Sequence, residues 1–302
     1  MKTIKIHDVG MRDGLQMEKQ VVPFVDKTAW IKRLSRTGID IIQAGSFVHP
    51  GKVPQMADTD KLFEYFQDDK QTGDVVLSGL VLNEKGLDRA LQCNVGLICV
   101  GVSASETHSM KNTGMSVGEA QERIISIAKT ILAEGKLVQA SVQSAFGCGF
   151  EGQIDEAKVL GIVAKYIDAG IKNISLADTA GHANPEKVFR IFTALHEMSA
   201  EVETACHFHN TYGMGMANCY AAYKAGVTYF ESAFGGLGGC PFTKLASGNV
   251  STEDLVQMFQ SFAIREDINL DLLIEFAGEA SRFFSRELPG YIYKSGKIPG
   301  QI

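Results

Sequence analysis

With 302 residues, 45% of them hydrophobic and 21% charged, the chain has room for one large or two ordinary domains and the balance of a folded globular protein, which excludes a disordered one. Its net charge of −6 is spread without a basic run, so no nucleic-acid or anionic-membrane surface is expected. No apolar stretch is long enough to span a bilayer.

The N-terminus, Met1-Lys2-Thr3-Ile4-Lys5-Ile6, enters an alternating apolar pattern with no signal-peptide or transit character, so a cytoplasmic protein is expected. Eight short β-like runs follow, at about 3–9, 39–45, 75–82, 96–103, 137–143, 172–177, 203–209 and 227–233, separated by longer helical patterns. Such alternation implies parallel pairing with helices outside, and eight units can close the sheet on itself. The expected fold is therefore α/β, a (β/α)8 TIM barrel over 1–270, with a C-terminal helix and tail (271–302) packed on it. An open doubly wound sheet is the alternative, weakened because no G-x-G-x-x-G opens the first helix.

Four segments repeat a punctuation: Thr37-Gly38-Ile39, Asn94-Val95-Gly96-Leu97, Ala169-Gly170-Ile171 and Ala225-Gly226-Val227. Each puts a glycine where a helix should end in a left-handed residue. Between them, 120–128 and 157–163 carry apolar stripes at helical spacing, which is core patterning. Ser251 and Asp254 are spaced like a capping pair. The six cysteines (Cys93, Cys99, Cys148, Cys206, Cys219, Cys240) contain no C-x-x-C, so neither a disulfide framework nor a cysteine zinc site is expected.

In such a barrel the chemistry sits where the strands stop at their C-terminal ends. Strand one stops at Arg12-Asp13-Gly14-Leu15-Gln16, strand two at Gln43-Ala44-Gly45-Ser46, strand six at Ser175-Leu176-Ala177-Asp178-Thr179 and strand seven at His207-Phe208-His209. Side chains two apart on a strand face the same way, so both histidines can present imidazoles to one ion. Asp13, His207 and His209 form an oxygen and nitrogen donor set suited to a divalent cation, with positions left open for a substrate. After strand eight, Gly235-Gly236-Leu237-Gly238-Gly239-Cys240-Pro241 suggests a mobile loop that brings a thiol over the site.

Taken together, Gly10-Met11-Arg12-Asp13-Gly14-Leu15-Gln16, Ser46-Phe47-Val48-His49-Pro50, Ser175-Leu176-Ala177-Asp178-Thr179, His207-Phe208-His209-Asn210-Thr211-Tyr212-Gly213, the glycine–cysteine loop and Ala246-Ser247-Gly248-Asn249 resemble the hydroxymethylglutaryl-CoA lyase family, within the metal-dependent lyase and Claisen-synthase barrels. The resemblance runs from about residue 5 to residue 260. It implies Asp13, His207, His209 and Asn249 as metal ligands, Arg12 as the stabiliser of an enolate, and Cys240 as a participant in proton transfer. Gln16, Gln43 and Ser46 would face the substrate. It also implies Mg²⁺ or Mn²⁺ ahead of Zn²⁺ or Co²⁺, an acyl-CoA substrate, and a homo-oligomer, dimer or tetramer.

Three departures bear on the substrate. Gln43 stands where these lyases carry a glutamate, Asn210 where they carry an aspartate, and the run Gln139 to Ser144 lacks a usual tyrosine and cysteine. The expected activity is cleavage of 3-hydroxy-3-methylglutaryl-CoA or a related 3-hydroxy-acyl-CoA to acetyl-CoA and a keto acid. The alternatives are a Claisen condensation of acetyl-CoA with an α-keto acid, and a non-catalytic barrel that binds metal or acyl-CoA.

Overall fold

The structure, a computed structural model, describes residues 3–67, 72–239 and 248–299. Each of the eight β-rich runs forms a strand: β1 (Lys5–Asp8), β2 (Ile41–Ser46), β3 (Val76–Leu80), β4 (Leu97–Ser103), β5 (Leu137–Gln143), β6 (Asn173–Asp178), β7 (Glu203–Phe208) and β8 (Tyr229–Ser232). Every neighbouring pair is parallel, and β8 returns to β1 with His7 opposite Glu231, so the sheet is a closed barrel in sequence order.

The helices α1 (Phe24–Ser35), α2 (Thr59–Gln67), α3 (Glu84–Gln92), α4 (Glu106–Thr113), α5 (Val117–Ala133), α6 (Glu156–Asp168), α7 (Pro185–Met198) and α8 (Gly215–Lys224) lie between strands; α9 (Thr252–Gln260), α10 (Leu270–Phe283) and α11 (Ile292–Ser295) follow β8. Local sequence explains their limits. Ser116 and Glu119 close a reciprocal cap at the start of α5, and the stripe Ala120, Ile124, Ile127 and Ile131 is buried. Among the described residues no helix is long and apolar enough to cross a membrane.

The glycine punctuation holds at three of its four places. Gly38, Gly170 and Gly226 follow α1, α6 and α8 with φ of 89°, 81° and 93°. After α3 the left-handed residue is instead Asn94, at φ 50°, because asparagine tolerates that conformation at low cost. Gly96 serves a different purpose: a Cβ there would lie 3.3 Å from the Leu77 carbonyl, so its bareness lets β4 approach β3.

The barrel interior has two levels. Its lower part is plugged by Ile41, Leu97, Cys99, Ala205 and Tyr229, all buried. Above the plug the interior turns polar, with His7 bonded to Ser78 (2.8 Å) and Ser175 to Glu231 (2.9 Å). Period-two alternation produces this order, since Tyr229 and Glu231 share one face of β8, and Ala205 and His207 one face of β7.

Ser251 caps α9 by accepting the Asp254 amide at 3.2 Å. Asp254 does not complete a capping box. Its carboxylate accepts the amides of Tyr291 (3.0 Å) and Ile292 (2.8 Å), fastening the tail, and Gly290 donates to the Gly235 carbonyl at 2.9 Å. The tail thereby braces the start of the glycine loop. Behind it, α10 packs on α1 through Trp30, which is 3% exposed and meets Phe234, Phe276, Phe283 and Phe284 edge-on with centroids 5.2–6.1 Å away. Trp30→Ala should destabilise the fold by about 3–5 kcal/mol. Chemical denaturation of the two proteins checks this, and a loss under about 1 kcal/mol would mean that α10 is held by other contacts.

Candidate active site and metal centre

Three chain segments meet at the C-terminal mouth of the barrel. Beyond Asp8 the chain makes one wide helical turn, Gly10–Gly14, in which both Asp13 and Gly14 donate to the Val9 carbonyl (2.7 and 3.3 Å). Such wide turns are frequent at functional sites, and this one lays Arg12 and Asp13 over the opening. From the other side β7 delivers His207 and, one step past its last residue, His209. The third segment is 248–250. It pairs with the end of β7, Asn210 donating to Gly248 (3.0 Å) and Val250 to Phe208 (3.1 Å), which sets Asn249 opposite His209.

Ligand atoms of buried Asp13, His207 and His209 lie within 4.8 Å of one another. The two Nε2 atoms face each other at 3.1 Å, and His209 Nε2 is 3.8 Å from Asp13 Oδ2. Neighbouring ligand atoms around a cation with bonds of roughly 2.1 Å are separated by roughly 3 Å, which matches the imidazole pair. Asn249 donates through Nδ2 to Asp13 Oδ2 and to the Leu237 carbonyl, both at 2.9 Å. Both partners can only accept, so the amide orientation is fixed, and Oδ1 is left buried with no hydrogen-bond partner among the described residues. A buried carbonyl oxygen without a donor, beside a carboxylate and two facing imidazoles, fits a divalent cation bound through oxygen and nitrogen.

Gly238 permits this arrangement. It has φ of 107°, and a Cβ there would come within 2.5 Å of Asn249 Nδ2 and 3.2 Å of Asp13 Oδ2. Electrostatics point the same way. Burial opposes the charge of Asp13, but the Arg12 guanidinium and the two imidazoles outweigh it and hold the carboxyl well below the usual range. Burial also disfavours imidazolium at both histidines. It prevails at His209, whereas at His207 the bond to Glu231 overcomes it and raises the pKa.

Arg12 donates through Nε to Gln43 Oε1 and through one terminal nitrogen to Asp13 at 2.5 Å. Gln16 Nε2 lies 3.3 Å from the same Asp13 oxygen. Gln43 shares the inner face of β2 with Ile41 by regular alternation and pairs with Ser78; Gly45 then pairs with Gly79, so Ala44 is an extra residue that shifts the end of β2. Ser46 is buried, its amide donating to Thr59 (3.2 Å) and its hydroxyl to Leu80 (3.5 Å). Cys240 lies outside the described residues.

The strand-six rim is less polar towards the opening than its sequence suggests. Asp178 accepts the amides of His182 (2.8 Å) and Ala183 (3.0 Å), and Thr179 accepts from Ser144 (3.0 Å), so both serve the loop backbone. Asn210 likewise accepts the Gly215 amide at 2.9 Å, at the start of α8.

Two carboxylates escape sequence reasoning. Glu231 accepts from His207 Nδ1 at 3.0 Å and from Ser175 at 2.9 Å. Its only signal is an alternation that puts it on the inner face with Tyr229. Glu253 resembles an ordinary acidic residue in a first helical turn, yet it is wholly buried, accepting the Gly235 amide at 3.1 Å through one oxygen while the other has no partner among the described residues.

A family model described as HMGL-like matches residues 3–278. The chain belongs to this family. Among its relatives, a hydroxymethylglutaryl-CoA lyase of Bacillus subtilis is 35% identical over 288 residues, covering 95% of each chain. An (R)-citramalyl-CoA lyase of Chloroflexus aurantiacus is 32% identical, covering 100% of this HMGL-like chain and 98% of its own. A solved HMG-CoA lyase from Acinetobacter baumannii, in complex with coenzyme A and 3-methylmalate, superposes with a TM-score of 0.91 at 36% identity, covering 99% and 96% of the two chains.

Burial pushes Glu253 up from 4.5 to about 8. A carboxyl whose folded pKa is raised holds its proton after the unfolded chain has released it, so stability falls as pH rises from about 4.5 to about 8 and then levels. Glu253→Gln removes this titration, so its stability relative to wild type should climb across that window. Denaturant melts at pH 5 and pH 8.5 test this, and a difference independent of pH would refute the assignment.

Proposed function

We propose that this chain is a divalent-metal-dependent carbon–carbon lyase that cleaves 3-hydroxy-3-methylglutaryl-CoA, or a closely related 3-hydroxy-acyl-CoA, to acetyl-CoA and a keto acid. One observation carries the reading: buried Asp13, His207 and His209 converge beside Arg12 at the C-terminal mouth of an HMGL-like barrel. The names of the Bacillus subtilis and Acinetobacter baumannii relatives support the substrate.

Asp13, His207, His209 and the Asn249 carbonyl oxygen would hold the cation, with Mg²⁺ or Mn²⁺ favoured by oxygen donors and open positions. When bound, a divalent cation supplies Lewis acidity that orients substrate oxygens and eases removal of the hydroxyl proton. Cleavage breaks the bond between the hydroxyl-bearing carbon and its neighbour next to the thioester, so the bonding pair passes to a thioester enolate. Arg12 suits that enolate. Gln43 and Asp13 occupy its Nε and Nη1 and fix the guanidinium plane, while Nη2 has no hydrogen-bond partner among the described residues. A guanidinium held in a fixed plane, with a donor to spare, stabilises developing negative charge without reorganising. Cys240, which follows Gly235–Gly239 in the sequence, would deliver the proton that converts enolate to acetyl-CoA and be reprotonated by the proton the hydroxyl gives up as its oxygen becomes the new carbonyl, so that the step is proton-neutral.

Gln43 favours a second substrate within the same chemistry. A neutral amide cannot act as a base and adds no negative charge beside Arg12, leaving the pocket more receptive to an anionic group on the acyl chain. The match to the (R)-citramalyl-CoA lyase makes that compound the first alternative to assay.

The purified protein should release acetyl-CoA from 3-hydroxy-3-methylglutaryl-CoA with Mg²⁺ or Mn²⁺ and fall to background in EDTA. His207→Ala should lose bound metal and turnover together; undiminished turnover would end the metal assignment. Cys240→Ala should bind metal normally and turn over about 10²–10⁴-fold more slowly, as expected for losing a proton donor. A fully active Cys240→Ala protein would reduce the thiol to loop packing. Activity only on citramalyl-CoA, or only after Gln43→Glu, would move the substrate and leave the lyase chemistry in place.

A further inference from the structure

The metal-site histidines are not equivalent. His209 Nδ1 is buried with no hydrogen-bond partner among the described residues, so no carboxylate stands behind its ring. His207 is held through Nδ1, 3.0 Å from Glu231 Oε2. A carboxylate only accepts, so Nδ1 carries the proton, and in the neutral ring Nε2 is the bare nitrogen, facing His209 across 3.1 Å. Glu231 is itself fixed. Its other oxygen accepts the Ser175 hydroxyl at 2.9 Å, and its backbone is in register with His207 on one side and with His7 of β1 on the other.

From this geometry, and resting on the metal-centre reading above, we propose that Glu231 is the positioning residue of the site: through the Ser175–Glu231–His207 chain it locks His207 in the Nδ1–H tautomer and sets how tightly the centre holds its cation. Three strands contribute one member each, Ser175 from β6, His207 from β7 and Glu231 from β8, so the barrel's closure brings the chain together. Without a carboxylate behind it, His207 is free to put its proton on Nε2 and would have to give up that tautomer each time it bound an ion. A full charge behind the ring also makes the bare nitrogen a stronger donor, and loss of such partners generally weakens binding 10–100-fold. The arrangement also explains a carboxylate buried beneath the opening: its charge faces the imidazole that would meet the cation.

The test uses the metal-free full-length protein and Mn²⁺, so it does not depend on turnover. Mn²⁺ affinity is measured for wild type, Glu231→Gln, Ser175→Ala and His207→Ala, and the His207 tautomer is read from ¹⁵N shifts in histidine-labelled protein, with His207→Ala assigning the signal. Wild type should show the Nδ1–H form. Glu231→Gln should bind Mn²⁺ about 10–100-fold more weakly with that form no longer dominant, and Ser175→Ala a few-fold more weakly. If Glu231→Gln keeps wild-type affinity and tautomer while His207→Ala has lost the ion, the positioning role is overturned and the metal centre stands. If His207→Ala itself binds Mn²⁺ like wild type, the metal-centre reading falls and this one with it. Should Glu231→Gln fail to fold, Ser175→Ala decides, and wild-type affinity there overturns the proposal.

Discussion

The buried charge of Asp13 is the constraint on which the site depends. A carboxylate taken out of water is costly unless cations and donors surround it, and Asp13, in the turn after β1, is buried. Arg12, the next residue back, supplies a guanidinium at 2.5 Å, and Asn249 supplies an amide at 2.9 Å. His209 completes the ring at 3.8 Å. Each comes from a different place in the chain, so the one buried charge ties the β1 turn, the end of β7 and the segment after the glycine loop to a common point.

What remains unsatisfied around that point is informative. Asn249 Oδ1 and His209 Nδ1 are buried without partners among the described residues, and two imidazole nitrogens face each other where an optimised apolar core would have put carbon. Such arrangements lower stability, and proteins retain them where function requires the exposed lone pairs. The stabilising contacts lie elsewhere: the apolar plug in the lower barrel, the aromatic cluster on Trp30, and the tail clasped by Asp254. Apolar packing is thus concentrated below and behind the mouth, while the mouth holds the unsatisfied polar groups.

The same division shows in the carboxylates. Asp178 and Asp254 are absorbed by backbone amides and shape loops. Glu231 instead points inward and addresses a side chain of the site, and Glu253 supports the glycine loop from behind. The difference comes from strand register and the direction of each Cβ, since all four residues belong to one chemical class.

The sequence alone determined the barrel and most of its mouth. Eight β-rich runs at regular spacing leave few other ways to satisfy strand edges, and period-two alternation puts His207 and His209 on one face whatever the details of packing. Arg12 and Asp13 were legible for a similar reason, because strand one must stop where the polar run begins. Tertiary structure alone decided the rest. Asn249 joins Asp13 through an antiparallel bridge to β7 from residues about 40 positions later, a pairing that no local pattern encodes. A bulge at Ala44 shifts the end of β2 against β3, and Asn94 replaces Gly96 as the left-handed residue because strand spacing gave that glycine another task. Glu231 became visible only once β6, β7 and β8 lay side by side, since a residue's partners across a sheet depend on register, which is a property of the closed barrel as a whole.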